Sequence, residues 1–198
     1  MERELLAPLF IFAFTMSITP GPNNIMLTAS GANFGYWRTL PHIIGIILGI
    51  VVLNVLSALG LHKLFEHYPV IQKGLKMAGV SYLLFLAYKI ARADEISDNE
   101  AKGKPLNLVQ AMLFQALNPK AVITTITAMT LYTLGGDRFI YSVYTVILVF
   151  MVTGFLCISV WALFGSFIKR ILKHKRYLRI FNYSMGTLCA LSAVLLLK

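Results

Sequence analysis

Apolar residues run almost unbroken through six stretches, 5–34, 40–62, 69–92, 106–134, 139–167 and 177–197, with polar and charged residues gathered between them. About 20 apolar residues carry an α-helix across a bilayer. Lipid offers no partner to backbone hydrogen-bonding groups, so only helices and closed barrels can span it. The alternating pattern of a barrel strand is absent. The pattern therefore predicts an all-α integral membrane protein with six transmembrane helices. Four stretches match a tilted span in length. The first and fourth are too long for a simple span, and both contain prolines: Pro8, Pro20 and Pro22 in the first, Pro119 in the fourth.

Composition agrees. Of the 198 residues, 58% are apolar and 13% charged, and the mean hydropathy is +0.73. Soluble domains carry about 25% charged residues, so this chain lacks the polar surface a soluble globule needs. A disordered chain would be poorer in apolar residues. Cys157 and Cys189 lie far apart inside apolar runs, which excludes a CxxC redox pair and a zinc site. The formal charge of +10 would suggest nucleic acid in a soluble protein. Here the basic residues fall between the apolar runs, and 11 of 18 lie in the segments after the first, third and fifth spans. Six lie on the other side, and Lys120 stands inside a span. This bias places the basic segments in the cytoplasm and both termini outside. The cluster Lys169–Arg179 is read as an orientation signal, with contact to anionic lipid second. No nucleic-acid partner is expected. The leader Met1-Glu2-Arg3-Glu4 is net negative and no cleavage site follows, so the first helix should remain in the mature protein.

The polar segment 93–105, ADEISDNEAKGKP, divides the chain nearly in half. The expected organisation is a single membrane domain, 1–198. It comprises repeat one (1–92), a cytoplasmic linker (93–105) and repeat two (106–198). Three spans per half give the two repeats inverted orientations. Each repeat opens on an interrupted helix. Thr19-Pro20-Gly21-Pro22-Asn23-Asn24 breaks the first span and Asn118-Pro119-Lys120-Ala121 the fourth, at matching places in the halves. The third and sixth spans echo each other weakly, Gly79–Leu83 against Gly186–Ala190. Breaks at matching positions of two halves point to the binding site of a transporter.

The chemistry of the breaks supports that. Pro20 and Pro22 lack N–H groups and stop a continuous helix. Carbonyls before the break lose their partners, and the helix restarting at Pro22 exposes free N–H groups and the positive end of its dipole. Such a terminus binds carboxylates. Lys120 lies about 14 residues, or ~21 Å, from either end of its run, beyond the reach of a snorkelling side chain. A charge there costs at least ~2.5–3.5 kcal/mol and marks function. Lys120, Thr124 and Thr127 share one helix face, as do Asn24 and Thr28. The expected substrate-binding residues are Pro20, Gly21, Pro22, Asn23, Asn24, Thr28, Asn118, Pro119, Lys120 and Thr124. Among weaker signals, Asn54 and Ser57 suit helix-to-helix hydrogen bonding or substrate contact equally. His42, after Pro41 at a span's start, is expected at the interface rather than in a proton relay. Gly31-x-x-x-Gly35 and Gly45-x-x-x-Gly49 are helix-packing patterns that would also suit a homo-oligomer. Trp37, Tyr68, Tyr141 and Tyr177 fit interfacial belts.

Thr19-Pro-Gly-Pro-Asn-Asn24 and Asn118-Pro-Lys-Ala121 resemble the paired motifs of the LysE/RhtB family of amino-acid exporters. Gly35-Tyr-Trp-Arg-Thr39, Gly45-x-x-x-Gly49 and Ala78–Lys89 extend the resemblance over essentially the whole chain. The PGPNN form followed by Ile25 is most similar to the branch that exports cysteine and O-acetylserine. The resemblance implies export of amino acids or close derivatives from the bacterial cytoplasm, driven by the proton gradient. The family motif falls on Pro20, Gly21, Pro22, Asn23, Asn24, Asn118, Pro119 and Lys120. No Asp or Glu lies in any span, so Lys120, His42 or the substrate itself must carry any proton, and Lys120 is the coupling candidate. The expected mechanism pairs the substrate carboxylate with Lys120 at the restart near Pro22–Asn24 and its ammonium with carbonyls freed at the breaks. The halves then rock about that site. A cationic side chain would be buried unpaired, so neutral substrates are preferred. No cofactor is called for. Rival readings are a transporter of another solute such as a metal cation, a membrane enzyme, and a non-catalytic scaffold subunit. The first wants carboxylate, His or Cys ligands together in the spans. The second wants a nucleophile, acid and base at one site. The third gives the breaks and the buried lysine no purpose.

Overall fold

A computed structural model of the protein describes residues 3–92, 104–171 and 175–195. Residues 93–103 of the expected linker lie outside the described residues, as does part of the basic cluster. The described chain forms helices α1 (Arg3–Ile18), α2 (Pro22–Phe34), α3 (Tyr36–Ala58), α4 (Leu61–His67), α5 (Pro69–Ala91), α6 (Leu108–Leu117), α7 (Pro119–Tyr132), α8 (Phe139–Ile171) and α9 (Lys175–Leu195), with a 3-10 turn at Gly136–Arg138 before α8. No strand occurs among the described residues.

Four of these helices, α3, α5, α8 and α9, are long and apolar enough to cross a membrane. The pair α1–α2 makes a fifth crossing if counted as one span, bent by 55° at the break after Ile18. The fourth apolar run forms α6 and α7, of 10 and 14 residues, parted at Asn118. Each is shorter than the ~20 residues a crossing takes. The cause of both breaks is local. Pro22 and Pro119 each occupy the first turn of the following helix, where a missing N–H costs nothing but the helix before cannot continue through.

The helices associate through small residues. A Cβ placed on Gly31 would come 2.1 Å from the Ala162 carbonyl oxygen, and one on Gly165 would come 2.0 Å from that of Thr28, so α2 and α8 touch backbone to backbone. Gly45 stands in the same relation to Leu108, which seats α3 on α6, and Gly79 to Leu117, which seats α5 beside the second break. Between helices in lipid, close packing of this kind replaces the hydrophobic driving force available in water. Gly45-x-x-x-Gly49 therefore acts as the packing pattern expected. Gly35 does not. It has φ 85° and open space around it, and serves as the turn between α2 and α3, a left-handed conformation that glycine adopts without penalty.

Buried apolar clusters surround the breaks. Leu27, Ile43, Ile46, Ala111, Ile158 and Ala162 join α2, α3, α6 and α8, while Leu9, Ala13, Ala128, Met129, Val146 and Phe150 join α1, α7 and α8. The outer faces carry exposed leucine, isoleucine and phenylalanine, including Leu148, Leu156 and Phe167 on α8. An apolar exterior of this extent suits lipid and would aggregate in water. Both cysteines are buried and free.

Candidate functional site

The first break has been rebuilt from side chains. Ending α1 at Ile18 leaves carbonyls without intrahelical donors, and three neighbouring ones find substitutes. The Asn24 amide donates to the carbonyls of Ser17 and Thr19, at 3.0 and 2.9 Å. The Trp161 indole, from α8, donates to Ile18 at 3.1 Å. Lys120, from α7, donates through Nζ to the Thr19 carbonyl at 2.7 Å. A buried carbonyl in lipid would otherwise cost several kcal/mol.

The second break lies directly against the first. Asn118 is extended at φ −92° and ψ 101°, and its carbonyl accepts the Val122 N–H at 3.1 Å to start α7. In α2 the Gly21 carbonyl plays that part for Ile25 at 3.0 Å. Both restarts have proline in first place, so the next two N–H groups of each, on Asn23 and Asn24 and on Lys120 and Ala121, have no intrahelical acceptor. Across the breaks, Asn23 and Gln115 exchange amide hydrogen bonds at 2.8 and 3.3 Å, and Gln115 also donates to Ala111 on its own helix at 2.9 Å.

Between the breaks lies a cavity of about 70 Å³. Its polar side is formed by Ser17, Gly21, Asn23, Asn24, Asn118, Lys120 and Thr124, and its apolar side by residues including Ile46, Ile47, Ile50, Phe150 and Ile158. Gly21 lets the Lys120 side chain approach the backbone closely. A Cβ there would come 3.0 Å from Lys120 Cδ and 3.3 Å from Nζ. No acidic side chain lines the cavity, so its field combines one ammonium with the positive ends of two helices. Two buried acceptors on its wall, Asn118 Oδ1 and Thr124 Oγ1, have no hydrogen-bond partner. A space of this size with unpartnered polar groups takes water or a small polar solute. Chemically, it can hold a carboxylate against the ammonium and free N–H groups while offering the orphaned acceptors to a donor.

Of the residues expected at the site, Gly21, Pro22, Asn23, Asn24, Asn118, Lys120 and Thr124 meet at the cavity. Pro20, Thr28 and Pro119 do not line it. Pro20 is exposed in the break. Pro119 faces a separate cavity of about 450 Å³ beside α4 and α5. Thr28 donates to the Asn24 carbonyl at 2.8 Å, lies 3.4 Å from the Trp161 carbonyl of α8 and packs against Gly165, so its hydroxyl serves helix packing. Thr127 lies outside the lining as well. The carbonyls freed at the first break, expected to meet the substrate ammonium, already accept side-chain donors. Asn118 Oδ1 and Thr124 Oγ1 have no partner at all. His42, expected at the interface, is buried within the helix packing at 1% exposure. Asn54, expected to bond another helix or substrate, has no partner on either amide atom. Sequence reasoning missed Gln115 and Trp161. A glutamine within an apolar run, five residues before Lys120, was a readable signal for the first. The apolar wall carried none, because isoleucine and phenylalanine are ordinary in any span.

Comparison with known proteins agrees with this architecture. Cysteine/O-acetylserine efflux proteins of Salmonella choleraesuis and Salmonella typhimurium are each 28% identical to the chain over 194 residues, covering 98% of both proteins. The protein of that name from Escherichia coli K12 is 26% identical over the same span. No solved structure matches the chain. The family model of the LysE type translocators matches residues 14–198, which takes in both breaks and every cavity-lining residue. A multi-pass membrane protein with two opposed helix breaks around a cationic cavity is thus a transporter rather than an enzyme, and the chain belongs to the LysE type translocator family.

Proposed function

We propose that the protein exports small neutral amino acids or close derivatives across the bacterial inner membrane by alternating access, in exchange for protons. The observation that carries this reading is the cavity where Lys120 joins the two breaks. The substrate carboxylate lies beside Lys120 Nζ and the free N–H groups at the start of α2 and α7. Its ammonium meets Asn118 Oδ1 and Thr124 Oγ1. Its side chain lies against Ile46, Ile47 and Ile50. A cationic side chain would find no counter-charge there. The names of the relatives, cysteine/O-acetylserine efflux protein, fit a small uncharged side chain of this kind.

Six crossings in two inverted repeats complete the reading, with α1–α2 and α6–α7 as the broken first spans and both termini periplasmic. The helix packing supports it. Exchanging the halves maps the α1–α8 contact onto α6–α3 and returns α5–α9 to itself, and all three pairs pack together. Two matching halves around a central site can rock against each other without remaking the site. Lys120 carries the proton in this scheme, since no acidic residue lines the cavity.

The test is efflux of labelled neutral and basic amino acids from loaded vesicles, comparing the wild type with Lys120→Ala and Asn24→Ala. Neutral substrates leave the wild type and are retained by both variants. Undiminished efflux in both variants removes the site. Equal efflux of lysine or arginine by the wild type removes the preference.

A further inference from the structure

Two buried polar side chains on α3 have no partner. His42 is 1% exposed and Asn54 fully buried, and all four of their polar atoms lack a hydrogen bond. Nearly all buried polar groups in proteins are satisfied, so each exception asks for a reason. An orphan in a membrane helix is costlier still. Several other polar pairs among the described residues are satisfied, as Asn23 with Gln115 and Ser30 with Thr39 illustrate.

Their placement along α3 is ordered. At 100° per residue, Thr39, His42, Ile46, Ile50, Asn54 and Ser57 fall within an arc of about 120°, one stripe of the helix. Ile46 and Ile50 in the middle of that stripe line the central cavity. His42 lies one turn before Ile46 and Asn54 one turn after Ile50, each about 6 Å along the axis. Beyond them the stripe stays polar and buried. Thr39 shares a 2.8 Å bond with Ser30 of α2, and Ser57 lies 3.5 Å from Thr125 of α7. The stripe is thus polar, apolar at the cavity, and polar again.

We infer that this stripe of α3 is the wall of the translocation route on both sides of the central cavity, with His42 and Asn54 as the substrate's transient contacts in the two arms. The inference rests on the exporter reading and adds the path to it. In the packing described here both side chains are buried and without a hydrogen-bond partner. When the halves part on one side, the side chain in that arm gains water or the polar groups of the amino acid. The cost of the orphaned group thereby disfavours staying closed on that side.

The experiment places single cysteines at these positions in a protein carrying Cys157→Ala and Cys189→Ala. A charged, membrane-impermeant maleimide is applied to vesicles of either orientation. His42→Cys is expected to label only from the face that holds Gly35, and Asn54→Cys only from the face that holds Gly60. Labelling at neither position, or at both from one face, overturns the inference. The second measurement uses Asn54→Leu and His42→Leu. If the orphans serve transport, leucine leaves thermal unfolding in detergent unchanged or raises it, while efflux falls about tenfold, the loss of one hydrogen bond of ~1.4 kcal/mol. Lower stability with unchanged efflux overturns the inference. A leucine variant that loses both is decided by the labelling result. Wild-type vesicles that export no amino acid would sink the exporter reading, while the labelling pattern would still decide the path.

Discussion

Lys120 Nζ donates a 2.7 Å hydrogen bond to the carbonyl of Thr19, 101 residues away, so the restart of one half is tied to the break of the other. That carbonyl also accepts from Asn24. Lys120→Met therefore leaves it satisfied and should unfold at a temperature close to that of the wild type, while efflux is lost. Gly21→Ala should behave similarly in milder form, because its methyl group displaces the lysine stem from a 3.0 Å approach. Lys120→Arg should not restore transport, since a planar guanidinium does not occupy the space of a compact ammonium. Vesicle efflux and thermal unfolding in detergent read all three. A large stability loss in Lys120→Met would make the lysine structural.

Asn23 and Gln115 form a reciprocal amide pair between α2 and α6. Removing one partner strands the other, at ~1–3 kcal/mol. Asn23→Leu and Gln115→Leu should each lower the unfolding temperature, and the double substitution should lower it by less than the two shifts combined. Additive shifts in a double-mutant cycle would show that the pair is not energetically coupled.

Gly154 of α8 lines the cavity, and a Cβ there would come 3.2 Å from Ile47 Cδ1. Larger residues at this position shorten the space for the substrate side chain. Gly154→Val should raise KM for the larger neutral amino acids more than for alanine, since a methylene's fit is worth ~1–3 kcal/mol of discrimination. Competition assays with a graded series of amino acids measure this. An unchanged order of preference would place the side-chain pocket elsewhere.

Gly165 and Gly135 make a matched pair. A methyl group on Gly165 would meet the Thr28 carbonyl oxygen at 2.0 Å, with backbone on both sides and nothing flexible to yield. Gly165→Ala should force α2 and α8 apart and destabilise by at least the ~1–3 kcal/mol typical of overpacking. Gly135 has φ −80° and nothing within 4 Å. Gly135→Ala should leave stability unchanged or raise it by ~0.4–1 kcal/mol. Equal effects in thermal unfolding would contradict the backbone contact.

Both broken helices could be read from the chain because their cause is covalent. A proline without an N–H acts on its own turn whatever surrounds it, so Pro22 and Pro119 marked the restarts before any packing was known. Lys120 was readable for a similar reason, as a charge is conspicuous against an apolar run. Thr28 shares the Asn24 face but does not line the cavity, because helical spacing says which residues share a face, not what faces them. Its hydroxyl turned back to the Asn24 carbonyl, a local bond open to any threonine in a helix. Asn24 reached the cavity as expected, but its amide donors are spent on Ser17 and Thr19.

The sequence by itself determined that the chain lives in lipid, where it breaks and where its one deep charge sits, since each depends on residue type and on near neighbours. Only the tertiary structure decided that the breaks meet, that Gln115 and Trp161 reach across to them, and that His42 and Asn54 are left without a hydrogen-bond partner. Those outcomes depend on which helices lie against each other. That choice is made by backbone contact at small residues such as Gly31, Gly45, Gly79 and Gly165, and their partners lie far away along the chain.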